Sequence, residues 1–233
     1  MEDVKRGRSH YLFLATILIG SFLLFLVQPM VARMALPRLG GAPAVWNSAM
    51  LVYQALLLGG YAYAHRLSRV APRKQASIHL VVLLVAALWL PFGLISLQPP
   101  ADGSPIFWVP WLLVASIGPL FFAVAAQAPL MQRWYSLTGN VGEPYALYAA
   151  SNIGSFSGLI AYPLLVEPFM PLKAQNWLWT AIYVLLVVSV AACGRLLWQS
   201  RSDVTTASDV PTSDSAISWK RRAYWIILAA IPS

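Results

Sequence analysis

The chain has 233 residues, 59% of them apolar and 10% charged, with ten Trp and a formal net charge of +8. A soluble domain averages about 45 to 50% apolar and about a quarter charged residues, so the composition points away from a water-soluble globule and equally away from disorder. The single cysteine, Cys193, excludes an internal disulfide framework.

A helix needs about 20 apolar residues to cross roughly 30 Å of hydrocarbon. Six stretches reach that length: 11–31, 44–64, 78–97, 106–130, 145–166 and 177–197. The expected fold class is all-α, a polytopic helical membrane protein with six full transmembrane helices and the start of a seventh. Across the six, the only Asp, Glu, Lys or Arg is Arg195, near enough to a span end to reach the interface.

Residues 1–10 form a cytoplasmic N-terminus in which Lys5, Arg6 and Arg8 precede the first apolar run. That run exceeds the usual signal-peptide core of about 7 to 15 residues, which favours an uncleaved anchor. The six-span domain occupies 11–197, and 198–219, rich in Ser, Thr and Asp, reads as a flexible cytoplasmic linker. Residues 220–233 open with Lys220-Arg221-Arg222 and read as a seventh span cut short, or as a short interfacial helix. Spans one to three and four to six start on opposite sides of the membrane, as an inverted repeat requires, without residue-level similarity between the halves.

Basic residues set the orientation, because Lys and Arg are retained in the cytoplasm. With the N-terminus inside, thirteen lie on the cytoplasmic side, and only Arg33, Arg38 and Lys173 lie outside. The positive charge then marks topology and contact with an anionic inner leaflet, and no nucleic acid is expected as a partner. Trp46, Trp108, Trp111, Trp177 and Trp179 are expected in the outer aromatic belt. Tyr61, Tyr63, Trp134, Tyr135 and Trp198 are expected in the inner one.

Polar groups inside the spans are the remaining signal, since each has to find a partner away from lipid. In the second span Asn47, Gln54 and Tyr61 recur every seven residues and share a helix face. In the fifth, Tyr148, Ser151, Asn152, Ser155 and Tyr162 form a similar stripe over Ala150, Gly154 and Gly158, whose four-residue spacing suits close helix packing. Gln28-Pro29 and Gln127-x-Pro129 add polar groups where kinks are expected, and Pro110 and Pro119 interrupt the fourth span. Two readings stand: helices glued by interhelical hydrogen bonds, or a polar path between spans two and five. Arg33 and Arg38 likewise either snorkel to phosphates at the end of span one or bind an anionic group at an outer turn shaped by Pro37, Gly40 and Gly41.

Catalytic machinery is not legible. The three His and one Cys are scattered, so no metal site is expected, and Gly40-Gly41 and Gly59-Gly60 lack the strand-to-helix context of a nucleotide loop. No cofactor is expected. All eight acids lie outside the six spans, which removes the usual intramembrane ion relay.

Four segments carry a resemblance. They are 27–47, with Gln28-Pro29-Met30 and Leu36-Pro37-Arg38-Leu39-Gly40-Gly41; 53–65, with Gly59-Gly60-Tyr61; 129–134, Pro129-Leu130-Met131-Gln132-Arg133-Trp134; and 144–155, with Ser151-Asn152-Ile153-Gly154-Ser155. Together they resemble the membrane domain of bacterial fused major facilitator/spermidine synthase-like proteins. The resemblance implies a bacterial inner membrane as the location, downstream membrane spans, and a cytoplasmic Rossmann-like domain similar to polyamine aminopropyltransferases. The glycine-rich nucleoside loop and acidic amine pocket of such a domain have no counterpart in this sequence. The expected function is therefore a membrane anchor and assembly module without catalysis of its own. The alternative is a transporter-like unit for a small molecule such as a polyamine or related cation.

Overall fold

The computed structural model describes residues 2–95, 105–138 and 145–199, with Trp219 and Tyr224. The chain divides into two units, Met1–Ser200 and Arg201–Ser233. Of the expected linker, 198–219, Trp198 and Gln199 belong to the last helix and Trp219 is exposed; the rest of it, and the expected seventh span apart from an exposed Tyr224, lie outside the described residues.

Every regular element described in the first unit is helical. Helix α1 (Glu2–Leu39) runs unbroken through Pro29 and Pro37. At about 1.5 Å per residue it is longer than the hydrocarbon layer is thick. It ends at Gly40, whose φ of 74° is the left-handed conformation that only glycine adopts without strain. Three residues later α2 (Pro43–Leu67) begins, with proline at its start where a missing N–H costs nothing. Helix α3 (Pro72–Ala86) opens the same way and tightens into a last turn at Ala87–Trp89.

The fourth apolar stretch is two helices, α4 (Pro105–Ala125) and α5 (Gln127–Leu137). Pro129 cannot donate to the carbonyl of Ala125, four residues back, and the ladder breaks beside that carbonyl. The fifth is α6 (Tyr145–Ala161), a wide π turn at Tyr162–Val166 containing Pro163, and the short α7 (Glu167–Phe169). Helix α8 (Leu172–Gln199) completes the unit.

Among the described residues four helical stretches are long and apolar enough to cross a membrane: Ser9–Leu39, Phe107–Leu137, Tyr145–Phe169 and Leu172–Trp198. Of the six expected spans, these four meet that criterion. The third helix stops at Trp89, not at residue 97, because Pro91 pushes Leu90 out of helical conformation, and its first turn carries Arg73 and Lys74. Helix α2 has the length, but Asn47, Gln54 and three tyrosines dilute its apolar character.

Helices α1 and α4 lie centrally. α6 packs on α1, α2 on α4, and α3 and α8 pack together behind them, against α4 and α1 respectively. Exchanging α1, α2 and α3 with α4, α6 and α8 turns α1–α6 into α4–α2 and α1–α8 into α4–α3, and maps α3–α8 onto itself. Leu84, Phe156, Val184 and Val188 on α3, α6 and α8, with Leu88 and Leu164 in the turns that follow α3 and α6, are exposed. Such apolar surface suits lipid far better than water.

Two tryptophans expected in the interface belts are core residues instead. Trp179 is 1% exposed and its indole N–H donates to the Leu23 carbonyl across 3.1 Å. Trp134 is fully buried and donates to Gln75 Oε1, also at 3.1 Å. A buried indole needs an acceptor, and each has one.

Candidate functional site

Helices α2 and α6 stand on opposite sides of a cavity of about 350 Å³ floored by α1 and α4. Six of the polar residues singled out from the sequence line it: Gln28 on α1, Gln54 and Tyr61 on α2, and Ser151, Asn152 and Ser155 on α6. Ser21 joins them, its Oγ 2.9 Å from Ser151 Oγ. Ser155 turns its hydroxyl back to the Ser151 carbonyl at 2.9 Å, and Gln28 Nε2 donates to the Leu24 carbonyl at 3.3 Å. Gln54 and Asn152 are exposed at the rim. Among the described residues no charged side chain lines this cleft.

Three of the singled-out residues stand elsewhere. Asn47 and Tyr148 are exposed and lie about one turn beyond the lining of their own helices, where Met50 and Ser151 are the first contributors. Seven residues of helix advance about 10 Å, so a shared face does not guarantee a shared cavity. Gln127 is 1% exposed and its Oε1 accepts from His79 Nε2–H at 3.1 Å, with its own Nε2 and His79 Nδ1 left without partners.

A second cavity of about 530 Å³ lies between α1, α2, α4 and the π turn, and shares Gln28, Met50 and Tyr53 with the first. Its charged residues are Arg33 and Glu167, with Nη1 and Oε1 3.5 Å apart; the same Nη1 lies 3.4 Å from the Glu167 carbonyl oxygen. Tyr162, the last of the fifth-span stripe, also lines it. Arg38 does different work. Its Nη1 donates to the carbonyls of Leu94 and Ile95 at 3.3 and 3.1 Å, tying the segment after α3 to the end of α1.

The small-residue stripe faces the backbone of α1. A β-carbon on Gly154 would run into the Leu18 carbonyl oxygen, and one on Gly158 would come within 2.5 Å of the Phe22 carbonyl oxygen. Ala150 is buried on the same face. On the other side of the cleft Gly60 packs on α4, with a β-carbon meeting Ala125 Cβ at 2.8 Å and the Phe122 carbonyl at 3.0 Å.

Two glutamines escaped sequence reasoning. Gln75 and Gln175, both fully buried near the starts of α3 and α8, each reach back five residues, donating to the carbonyls of Val70 at 2.6 Å and Met170 at 2.8 Å. The signal was present as a glutamine three or four positions after a proline, at Pro72 and Pro171. Among the described residues no group of three or more His, Cys, Asp or Glu is placed to hold a metal ion. Set against protein-family models, curated proteins and solved structures, the chain matches none.

Proposed function

We propose that the chain is a six-span helical module of a bacterial inner membrane, N-terminus in the cytoplasm, that admits a small uncharged polar solute to the cleft between α2 and α6. The observation that carries this reading is the convergence of Gln28, Gln54, Tyr61, Ser151, Asn152 and Ser155 on one cavity. Polar side chains at membrane depth are costly unless they meet water, another helix or a solute. A polyamine calls for carboxylates or an aromatic cage, and this lining has no charge to offer it.

The orientation draws support from the ends of the bundle. Arg133 donates to the Ser68 carbonyl at 2.6 Å and Trp198 to the Arg73 carbonyl at 3.1 Å. These bonds gather Arg66, Arg69, Arg73, Lys74 and Arg133 at one end, which the positive-inside rule assigns to the cytoplasm. The same basic end favours a second reading, an anchor that grips an anionic inner leaflet and holds a cytoplasmic domain, as in the fused proteins the sequence resembles.

Solute entry into proteoliposomes carrying the chain separates the two. Labelled glycerol and urea are expected to enter faster than into protein-free vesicles, while labelled spermidine stays at the protein-free rate. Replacing Gln54 and Asn152 together by Leu is expected to cut the entry rate about tenfold, because the lining supplies the hydrogen bonds that replace hydration. Entry at the protein-free rate, or unchanged by the double variant, leaves the anchor as the function.

A further inference from the structure

The larger cavity, about 530 Å³, has mostly apolar walls, with Leu36, Trp46, Met50 and Leu113 among them. Among the described residues it sets one cation and one anion into this space, Arg33 and Glu167. Their side chains are 37% and 44% exposed, and the 3.5 Å between them is long for a charge-assisted hydrogen bond. A pair so long and so exposed is loosely held and open to exchange. Tyr53 lines the same space, only 6% exposed, with a buried phenol oxygen that has no hydrogen-bond partner. A buried hydroxyl without a partner is a cost that a ligand's polar atom would remove.

Charge balance decides what can enter. A simple anion taken by Arg33 would strand the Glu167 carboxylate beside an apolar wall, and a simple cation taken by Glu167 would strand Arg33. A molecule bearing both charges leaves each of them paired. The walls then ask for an apolar body. We infer that this cavity binds a zwitterion with an apolar body, its anionic group on Arg33 and its primary ammonium on Glu167. An apolar α-amino acid and the headgroup of phosphatidylethanolamine both carry that chemistry. The inference goes beyond the cleft reading, since binding here holds whether or not any solute crosses the membrane.

Three probes of one shape test it on the unaltered chain in phosphatidylcholine nanodiscs: L-phenylalanine, 3-phenylpropionate and 2-phenylethylamine, followed by equilibrium binding. Phosphatidylcholine is a suitable background because its trimethylated ammonium has no proton to donate to Glu167. L-Phenylalanine is expected to bind at least about tenfold more tightly than either singly charged analogue. Glu167→Gln is expected to bring 3-phenylpropionate up to the level of L-phenylalanine, by removing the competing carboxylate, and Arg33→Gln to weaken both. Exchanging the lipid for phosphatidylethanolamine separates the two sources. Loss of L-phenylalanine binding there makes the lipid headgroup the occupant, and retention makes it the free amino acid. Equal affinity for the three probes, no saturable L-phenylalanine binding in either lipid, or binding indifferent to both charge changes would overturn the inference. The probe comparison needs no variant, so a misfolded substitution does not protect it.

Discussion

The two central helices are each closed on one flank by a helix that presents glycine, and the two closures differ in depth. Along α1 and α6 the glycines meet carbonyl oxygens directly, at Leu18 and Phe22, so backbone lies on backbone. Along α4 and α2, Gly60 first meets the methyl of Ala125, with the Phe122 carbonyl just behind it. Membrane helices gain little from hiding apolar surface from lipid that is equally apolar, so close approach and interhelical hydrogen bonds supply the association energy. The α1–α6 seam uses both, adding the Ser21–Ser151 bond at 2.9 Å to its glycine contacts. No hydrogen bond between side chains supports the α2–α4 seam among the described residues, and it relies on shape, including Tyr53 stacked on Phe121 with ring centroids 5.3 Å apart. The comparison teaches where rigidity lies: α6 is fixed to α1, and the freer wall of the cleft is α2.

The largest effect expected from breaking this arrangement comes from Gly158→Leu. Its side chain has no space outside α1, and overpacking of this kind costs about 3 kcal/mol when neighbouring backbone has to shift. Unfolding titrations in mixed detergent micelles are expected to show that loss. Gly60→Ala should cost less, about 1 kcal/mol, since the Ala125 methyl, the Phe122 carbonyl and the Ala126 nitrogen, at 2.8, 3.0 and 3.1 Å, have to yield by less. Gly93→Ala, with open space around it, should be neutral. A ranking that put Gly60→Ala above Gly158→Leu would reverse the account of which seam is rigid.

A smaller effect sharpens the comparison without disturbing shape. Ser21→Ala and Ser151→Ala each remove one partner of the bond that only the α1–α6 seam possesses. A double-mutant cycle is expected to give a coupling of about 0.6 kcal/mol, the size typical of such bonds between membrane helices. A coupling indistinguishable from zero would leave the glycine contacts as the sole difference between the seams.

How much of this was readable beforehand depends on the range of the interaction. Hydropathy located six helical stretches, and the spacing of Ala150, Gly154 and Gly158 put them on one face. Which backbone that face meets is a property of residues more than a hundred positions away. Separations of 59 and 48 residues likewise hid the pairing of Trp134 with Gln75 and of His79 with Gln127. Both tryptophans misread as belt residues obey a general preference for interfaces that a buried acceptor overrides. Prolines were ambiguous for a local reason. Pro29, Pro37, Pro110 and Pro119 sit inside continuous helices while Pro129 follows a break, and the residue type is identical in all five. Whether a helix absorbs the lost hydrogen bond depends on neighbours that only tertiary packing supplies. The cleft was half legible: periodicity found the polar faces of α2 and α6, and the length of the cavity, set by α1 and α4, decided which members reach it.

That boundary sets up the smallest expected effect. Asn47 shares a helical face with Gln54 and Tyr61 but stands a turn past Met50, exposed and outside the cavity lining. Asn47→Ala is therefore expected to change stability by no more than about 0.5 kcal/mol, the range of surface substitutions that break no specific contact. It should also leave glycerol entry into proteoliposomes unchanged, where Asn152→Leu slows it. The two asparagines make a matched pair, of one residue type and both exposed, distinguished only by whether the cleft reaches them. Equal slowing by both variants would mean that the functional surface is the whole polar face of α2 and α6, extending past the cavity, and that the freer wall of the cleft acts through its full length.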